Sequence, residues 1–184
     1  MEKNPSGPEI VESYRDFKPP RNFKRNIQML LRYVPSEYLI GLKSIVLTNR
    51  AALTRDQRRQ KVWTRKRQIR LIEASGSYRR ETRSSPAVVW IYVDTLVEHQ
   101  RWMIRAPFLQ YVVPAEVLYH EIGHHIHAAH RPVHEGKENV AEEWSGKLGV
   151  RFVRLHYWYA WPVIRSIAIL TKPFLKHWKA GRRK

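Results

Sequence analysis

"LYHEIGHHIHAAHRP", Leu118–Pro132, holds five histidines, His120, His124, His125, His127 and His130, and one glutamate, Glu121. Pro114 suits the first turn of a helix, where its missing N–H costs little. Pro132 disfavours helix at the residue before it, so the spacing predicts a helix from Pro114 to about His130. Each helical residue advances by about 100°, so with His120 at 0°, His124 falls at about 40°, His127 at about 340° and Glu121 at about 100°. His125, at about 140°, and His130, at about 280°, fall off that face. Leu118, Ile122, Ile126 and Ala129 form an apolar stripe between about 160° and 240°.

Two imidazoles one turn apart with a carboxylate alongside make the H-E-x-x-H arrangement. In it the paired His bind Zn²⁺ and the Glu serves as general base. A zinc site needs a further protein ligand, and because the chain contains no cysteine that ligand must be His, Asp or Glu. His130 lies six residues after His124, which is the metzincin spacing. That spacing works through a Gly that breaks the helix and swings the last His back, and this chain has His127 there. The accompanying Met-turn lies downstream, whereas Met1, Met29 and Met103 all lie upstream. His130 therefore stays about 80° off the ligand face and is rejected.

The other source is "GKENVAEEWSGKLG", which starts at Gly136; Pro132 and Gly136 bracket a short turn before it. Glu138 and Glu142 are four apart and share a side, beside an apolar stripe of Val140, Ala141, Trp144, Leu148, Phe152 and Leu155. A second helix running antiparallel brings Glu138 or Glu142 to the histidine pair. The other carboxylate is then free to hold the N–H of a ligand imidazole.

Outward from this core, Asn22 precedes Phe23, Ile27, Leu30, Leu31 and Val34, a helical spacing behind an N-cap residue, closed by Pro35. "GLKSIVLTN", Gly41–Asn49, predicts a strand. "TRDQ", Thr54–Gln57, has the capping-box form and opens a polar stretch to Ser75, either a basic surface helix or partly disordered. "GSYRRETR", Gly76–Arg83, predicts a short strand whose charges suit an exposed edge. "AVVWIYV", Ala87–Val93, is an unbroken apolar run of the kind found in buried central strands. Residues 1–20 are polar and Pro-rich and predict a flexible arm; they lack the apolar region of a signal peptide. No run of 18 uncharged apolar residues suggests a membrane span.

The chain carries 34 Lys+Arg against 16 Asp+Glu, a net charge of +18, in a globular composition that is 43% hydrophobic. Half of that charge lies in Arg50–Arg83, where 12 Lys/Arg face 3 Asp/Glu. The balance suits a polyanion, either nucleic acid or an anionic membrane surface, or an acidic protein; the plainer alternative is a solvated basic face. Residues 153–184 are aromatic, apolar and basic, with Trp158, Trp161 and Trp178. They suit either completion of the core or an interfacial segment.

"YHEIGHHIH" followed by "ENVAEEW" resembles the zincin metallopeptidases of gluzincin type, nearest the minigluzincins and the ImmA/IrrE family. Glu138, Ala141, Glu142 and Trp144 stand at the Glu, Ala, Asn and Phe positions of the E-x-x-A-N-x-F-A segment of the latter, with Ser145 at the last Ala. The resemblance covers roughly Gly41 to Phe152. It implies an α+β, zincin-like fold: a small mixed sheet whose polar edge strand packs on the H-E-x-x-H helix, and a second, glutamate-bearing helix. It implies a metallopeptidase domain over 21–152, followed by the C-terminal segment 153–184, which minigluzincins suggest is a plug over the cleft.

The chemistry the resemblance implies is hydrolysis of peptide bonds, with Zn²⁺ on His120, His124 and Glu138, Glu121 as the general base acting on the metal's water, and Glu142 supporting a ligand. Glu142 is not the family's Asn, and the gap from His124 to Glu138 is short, so Glu142 and Glu143 stay open as the last ligand. A peptide substrate is expected along Ser77–Glu81. A transition-state donor is expected among His127, His134, His156, Tyr157 and Tyr159. The alternative function is a basic protein binding nucleic acid or a membrane surface, built on the same scaffold with a structural or vestigial metal. Either suits a cytoplasmic chain able to sit peripherally at a membrane.

Overall fold

A computed structural model describes residues 7–63, 68–105, 109–130, 137–162 and 166. It contains two compact units, residues 1–149 and 150–184. The first is a mixed α+β fold around a four-stranded sheet of order β1-β2-β6-β5, formed by β1 (Glu9–Ser13), β2 (Leu42–Thr48), β5 (Gly76–Arg79) and β6 (Ala87–Tyr92). β1, β2 and β6 are parallel, and β5 runs antiparallel to β6 on the outer edge.

Pairing and alternation divide the sheet into two faces. Ile45, Leu47, Val89 and Ile91 are fully buried and share a face with Gly76 and Tyr78. α4 (Val112–His130) packs on β5 and β6 from that face, and α1 (Phe23–Leu31) packs against α4. Tyr119 of α4 joins the two helices by donating its hydroxyl to the carbonyl of Leu30 at 3.0 Å. Of the apolar stripe of α4, Leu118, Ile122 and Ile126 are buried, each worth roughly 1.5–3 kcal/mol relative to exposure, whereas Ala129 near the end of the helix is exposed.

The opposite face carries Trp90 and Tyr92. Against them pack Leu53, Leu71, Ala74, Val62 and Ile69, all from the basic stretch after β2. Of that stretch residues 64–67 lie outside the described residues, and in the rest only Arg55–Arg59 is α-helical. After the short α2 (Arg55–Arg59) it forms an antiparallel pair, β3 (Lys61–Trp63) with β4 (Gln68–Arg70). A few apolar residues among many charges are enough, because each packs on the side of the sheet that carries Trp90 and Tyr92. α2 opens with the capping box read from its sequence, Thr54 and Gln57 bonding reciprocally.

Of the arm expected over residues 1–20, residues 1–6 lie outside the described residues, and the rest is not simply an arm. Glu9–Ser13 is a sheet strand held by backbone pairing to β2. Asn49 clamps the chain beyond it, accepting from the backbone N–H of Arg15 at 2.9 Å and donating to its carbonyl at 2.8 Å. Thr48 donates to the carbonyl of Ser13 at 2.7 Å. These partners lie more than thirty residues away, so local composition could not reveal them. Asn22 precedes α1 but makes no side-chain cap.

α3 (Val93–Arg105) was not anticipated; its helical geometry breaks at Gln100. It begins directly after β6, where Asp94 accepts from the backbone N–H of Arg50. α5 (Lys137–His156) follows α4 and continues into the second unit. There Phe152 stacks on His156 with ring centroids 4.9 Å apart, and Tyr157 meets His156 edge-on. Trp158 and Tyr159 are exposed. Most of 153–184, including Trp178, lies outside the described residues. Among the described residues no helix is long and apolar enough to cross a membrane.

Candidate metal centre

The centre is built by α4 and the first turn of α5. His120 and His124 stand one turn apart with ring centroids 4.7 Å apart and planes at 84°. Glu138, the second residue of α5, lies opposite. Its Oε2 is 3.5 Å from His120 Nε2 and its Oε1 is 3.5 Å from His124 Nε2. One ligand atom from each residue falls within 4.8 Å of the others, and all three side chains keep partial contact with solvent.

The donor set suits a metal cation in kind. Tetrahedral ligation at about 2.0–2.2 Å holds donors roughly 3.3–3.6 Å apart; the 3.5 Å separations here run to different oxygens of Glu138, and one atom from each of the three residues falls within 4.8 Å of the others. A cation such as Zn²⁺ prefers imidazole nitrogen and carboxylate oxygen when thiolates are absent.

The two helices meet through small residues. A Cβ on Gly123 would stand 2.7 Å from the Cα and the carbonyl oxygen of Ala141, so the backbones touch there. Ser145 of α5 donates to the carbonyl of Glu116 in α4 at 3.4 Å. Contacts 124 to 138, 123 to 141 and 116 to 145 make the helices antiparallel, as the sequence suggested. Trp144 packs edge-on against Tyr38 at 4.7 Å, and Ala141 and Leu148 are buried.

Glu121 is 6% exposed, tucked under the edge strand. The position of a Cβ on Gly76 would be 2.8 Å from its Oε1 and 3.0 Å from its Cγ. Burial, with the charge of Glu138 adding, pushes its carboxyl up to about 8. A cation on the neighbouring donors acts the other way and favours the carboxylate.

The remaining acids and histidines separate clearly. Glu142 and Glu143 are exposed on α5, and Glu143 pairs with Lys147 at 2.6 Å; the metal-compatible group contains Glu138. His125 is buried and joins three elements. Its Nε2–H donates to the carbonyl of Ile40 at 3.0 Å, which leaves Nδ1 to accept from the Tyr78 hydroxyl at 3.2 Å. His127 is buried. The side chain of His130, and all of His134, lie outside the described residues, while His156, Tyr157 and Tyr159 belong to the second unit. Gly76, Gly123 and the Tyr78–His125 contact escaped the sequence reading; the one available signal was a glycine inside an otherwise helical H-E-x-x-H.

Of the basic stretch, Arg58, Arg59 and Lys61 are exposed, and Arg65, Lys66 and Arg67 lie outside the described residues. Arg50 is instead neutralised: its Nε lies 2.9 Å from Asp94, and its guanidinium also pairs with Glu98. No known family model, curated protein or solved structure matches the chain.

Proposed function

We propose that this protein is a zinc-dependent metallopeptidase with a zincin-like fold of gluzincin type. His120, His124 and Glu138 hold the ion in this reading, and Glu121 is the general base. The observation that carries it is the convergence of both imidazole Nε2 atoms on the two oxygens of one carboxylate, at 3.5 Å each, with a second, buried carboxylate beside them.

Zinc bound there supplies a Lewis acid that acidifies water and polarises the scissile carbonyl. Glu121 accepts the proton of the attacking water on a carboxylate oxygen and returns it to the departing amine nitrogen. Edge strand β5, which among the described residues pairs only with β6, would offer its outer backbone side to an extended peptide, which strand addition would align beside Glu121. Glu142, one turn beyond Glu138, is the carboxylate that would orient a ligand imidazole. A structural metal has no use for a buried carboxylate held next to its ligands, so Glu121 favours an enzyme.

The exposed Arg59, Lys61 and Arg70 around β3 and β4 support a second reading. In it the chain binds a polyanion, nucleic acid or an anionic membrane surface in the cytoplasm, through this face. The two readings are compatible, since the basic face and α4 lie on opposite sides of the sheet.

Metal analysis of the purified protein with a peptidase assay tests the proposal. About one zinc per chain is expected. Glu121→Gln should keep the metal and abolish cleavage; a Glu121→Gln protein that cleaves at the wild-type rate removes the general base from the scheme.

A further inference from the structure

We infer that Gly76 is a positioning residue for Glu121: the space that a side chain would fill at the start of the edge strand is where the Glu121 carboxylate lies. Gly76 is not required by its backbone. Among the described glycines only Gly41 has a positive φ, so Gly76 adopts a conformation open to any residue. Glycine also weakens a strand by roughly 0.5–1 kcal/mol relative to alanine. What glycine supplies is room. A Cβ there would stand 2.7 Å from Val117 Cγ1, 2.8 Å from Glu121 Oε1 and 3.0 Å from Glu121 Cγ.

Something must move if that Cβ is added, and the frame resists moving. β5 is laddered to β6, the carbonyl of Ser75 accepts from the N–H of Tyr92 at 3.0 Å, and Tyr78 is tied to His125. α4 is fixed by its buried stripe and by the contact of Gly123 with Ala141. Val117 is β-branched and stiff at χ1 in a helix. The Glu121 side chain has free torsions, so its carboxylate is the group displaced. None of the three metal-compatible donors is among the nearest neighbours of Gly76, so the Cβ meets Glu121 rather than those donors, and the carboxylate changes its position relative to them.

The functional consequence rests on the peptidase reading, but the displacement itself does not. The test uses the full zinc-loaded chain and compares Gly76→Ala/Val117→Ala with Val117→Ala alone, which removes the rigid clash and leaves the one with Glu121. Zinc content and melting temperature should match between the two. A crystal structure should show the Glu121 carboxylate shifted by about 1 Å or more, and kcat on fluorescein-labelled casein should fall about 100-fold with KM little changed, as misplacing a reacting group by that distance does. An unmoved Glu121 overturns the inference, as does an unchanged kcat in a wild type that cleaves. Loss of zinc or of the fold in the double variant overturns it too, because the contact would then hold the architecture rather than the carboxylate. If the wild type cleaves no casein, the peptidase reading is what suffers, and the position of Glu121 still decides the role of Gly76.

Discussion

Gly123 of α4 and Ala141 of α5 touch backbone to backbone, with no space for even a methyl group between them. Glu138 lies just under one turn before Ala141, so this contact sets the distance from its carboxylate to His120 and His124. Gly123→Ala gains up to about 1 kcal/mol of helix propensity but forces an overpacked crossing that costs roughly 1–3 kcal/mol. The crossing should win. Melting temperature should fall, and zinc affinity by chelator competition should fall with it. An undiminished zinc affinity would mean that the crossing does not position Glu138.

The third donor can be separated from its neighbours by the same competition assay. Glu138→Ala should weaken zinc binding far more than His130→Ala. Glu142→Ala should produce the smaller, roughly 10–100-fold loss expected of a group that orients a ligand from outside. If Glu142→Ala is the most damaging, the ligand lies one helical turn further along α5.

The basic face should bind polyanions in a salt-dependent way. Reversing Arg59, Lys61 and Arg70 should weaken binding to duplex DNA or anionic vesicles and flatten the dependence on salt. Arg50→Ala should leave that slope nearly unchanged, since Asp94 and Glu98 already neutralise Arg50. An Arg50→Ala effect as large per unit of charge removed as that of the triple reversal would show that simple net charge, not this face, drives association.

Stability should fall steeply on the alkaline side. Burial raises the Tyr119 hydroxyl well above its ordinary value, and Tyr14, Tyr78 and Tyr92 move in the same direction for the same first reason. An unfolded tyrosine ionises near pH 10 while the folded one keeps its proton. The unfolded state therefore binds fewer protons above that pH, and folding stability declines as pH rises through it. Tyr119→Phe should be less stable at pH 8, by about 1 kcal/mol for its lost hydrogen bond to Leu30. It should lose less than wild type between pH 8 and 11 in urea unfolding. A parallel pH dependence would exclude Tyr119 as a contributor.

Much of the frame was readable because it depends on near neighbours in the chain. The rotation per helical residue puts His120 and His124 together and turns Leu118, Ile122 and Ile126 inward. The apolar run of β6 marks an interior strand, the charges around β5 mark an edge, and the Thr54 capping box closes over three residues. Each of these is a local rule, so composition and spacing suffice.

What remained hidden depends on partners far away in sequence. Glu9–Ser13 becomes a strand only because β2 and Asn49 receive it. Val62, Ile69 and Leu71 order a highly charged stretch only because Trp90 and Tyr92 present an open apolar face. Spacing allowed Glu138, Glu142 or Glu143 to approach the histidines, and the crossing of Gly123 over Ala141 brings Glu138 to them. Periodicity says which way a side chain points from its own helix; only packing between helices says what it meets there.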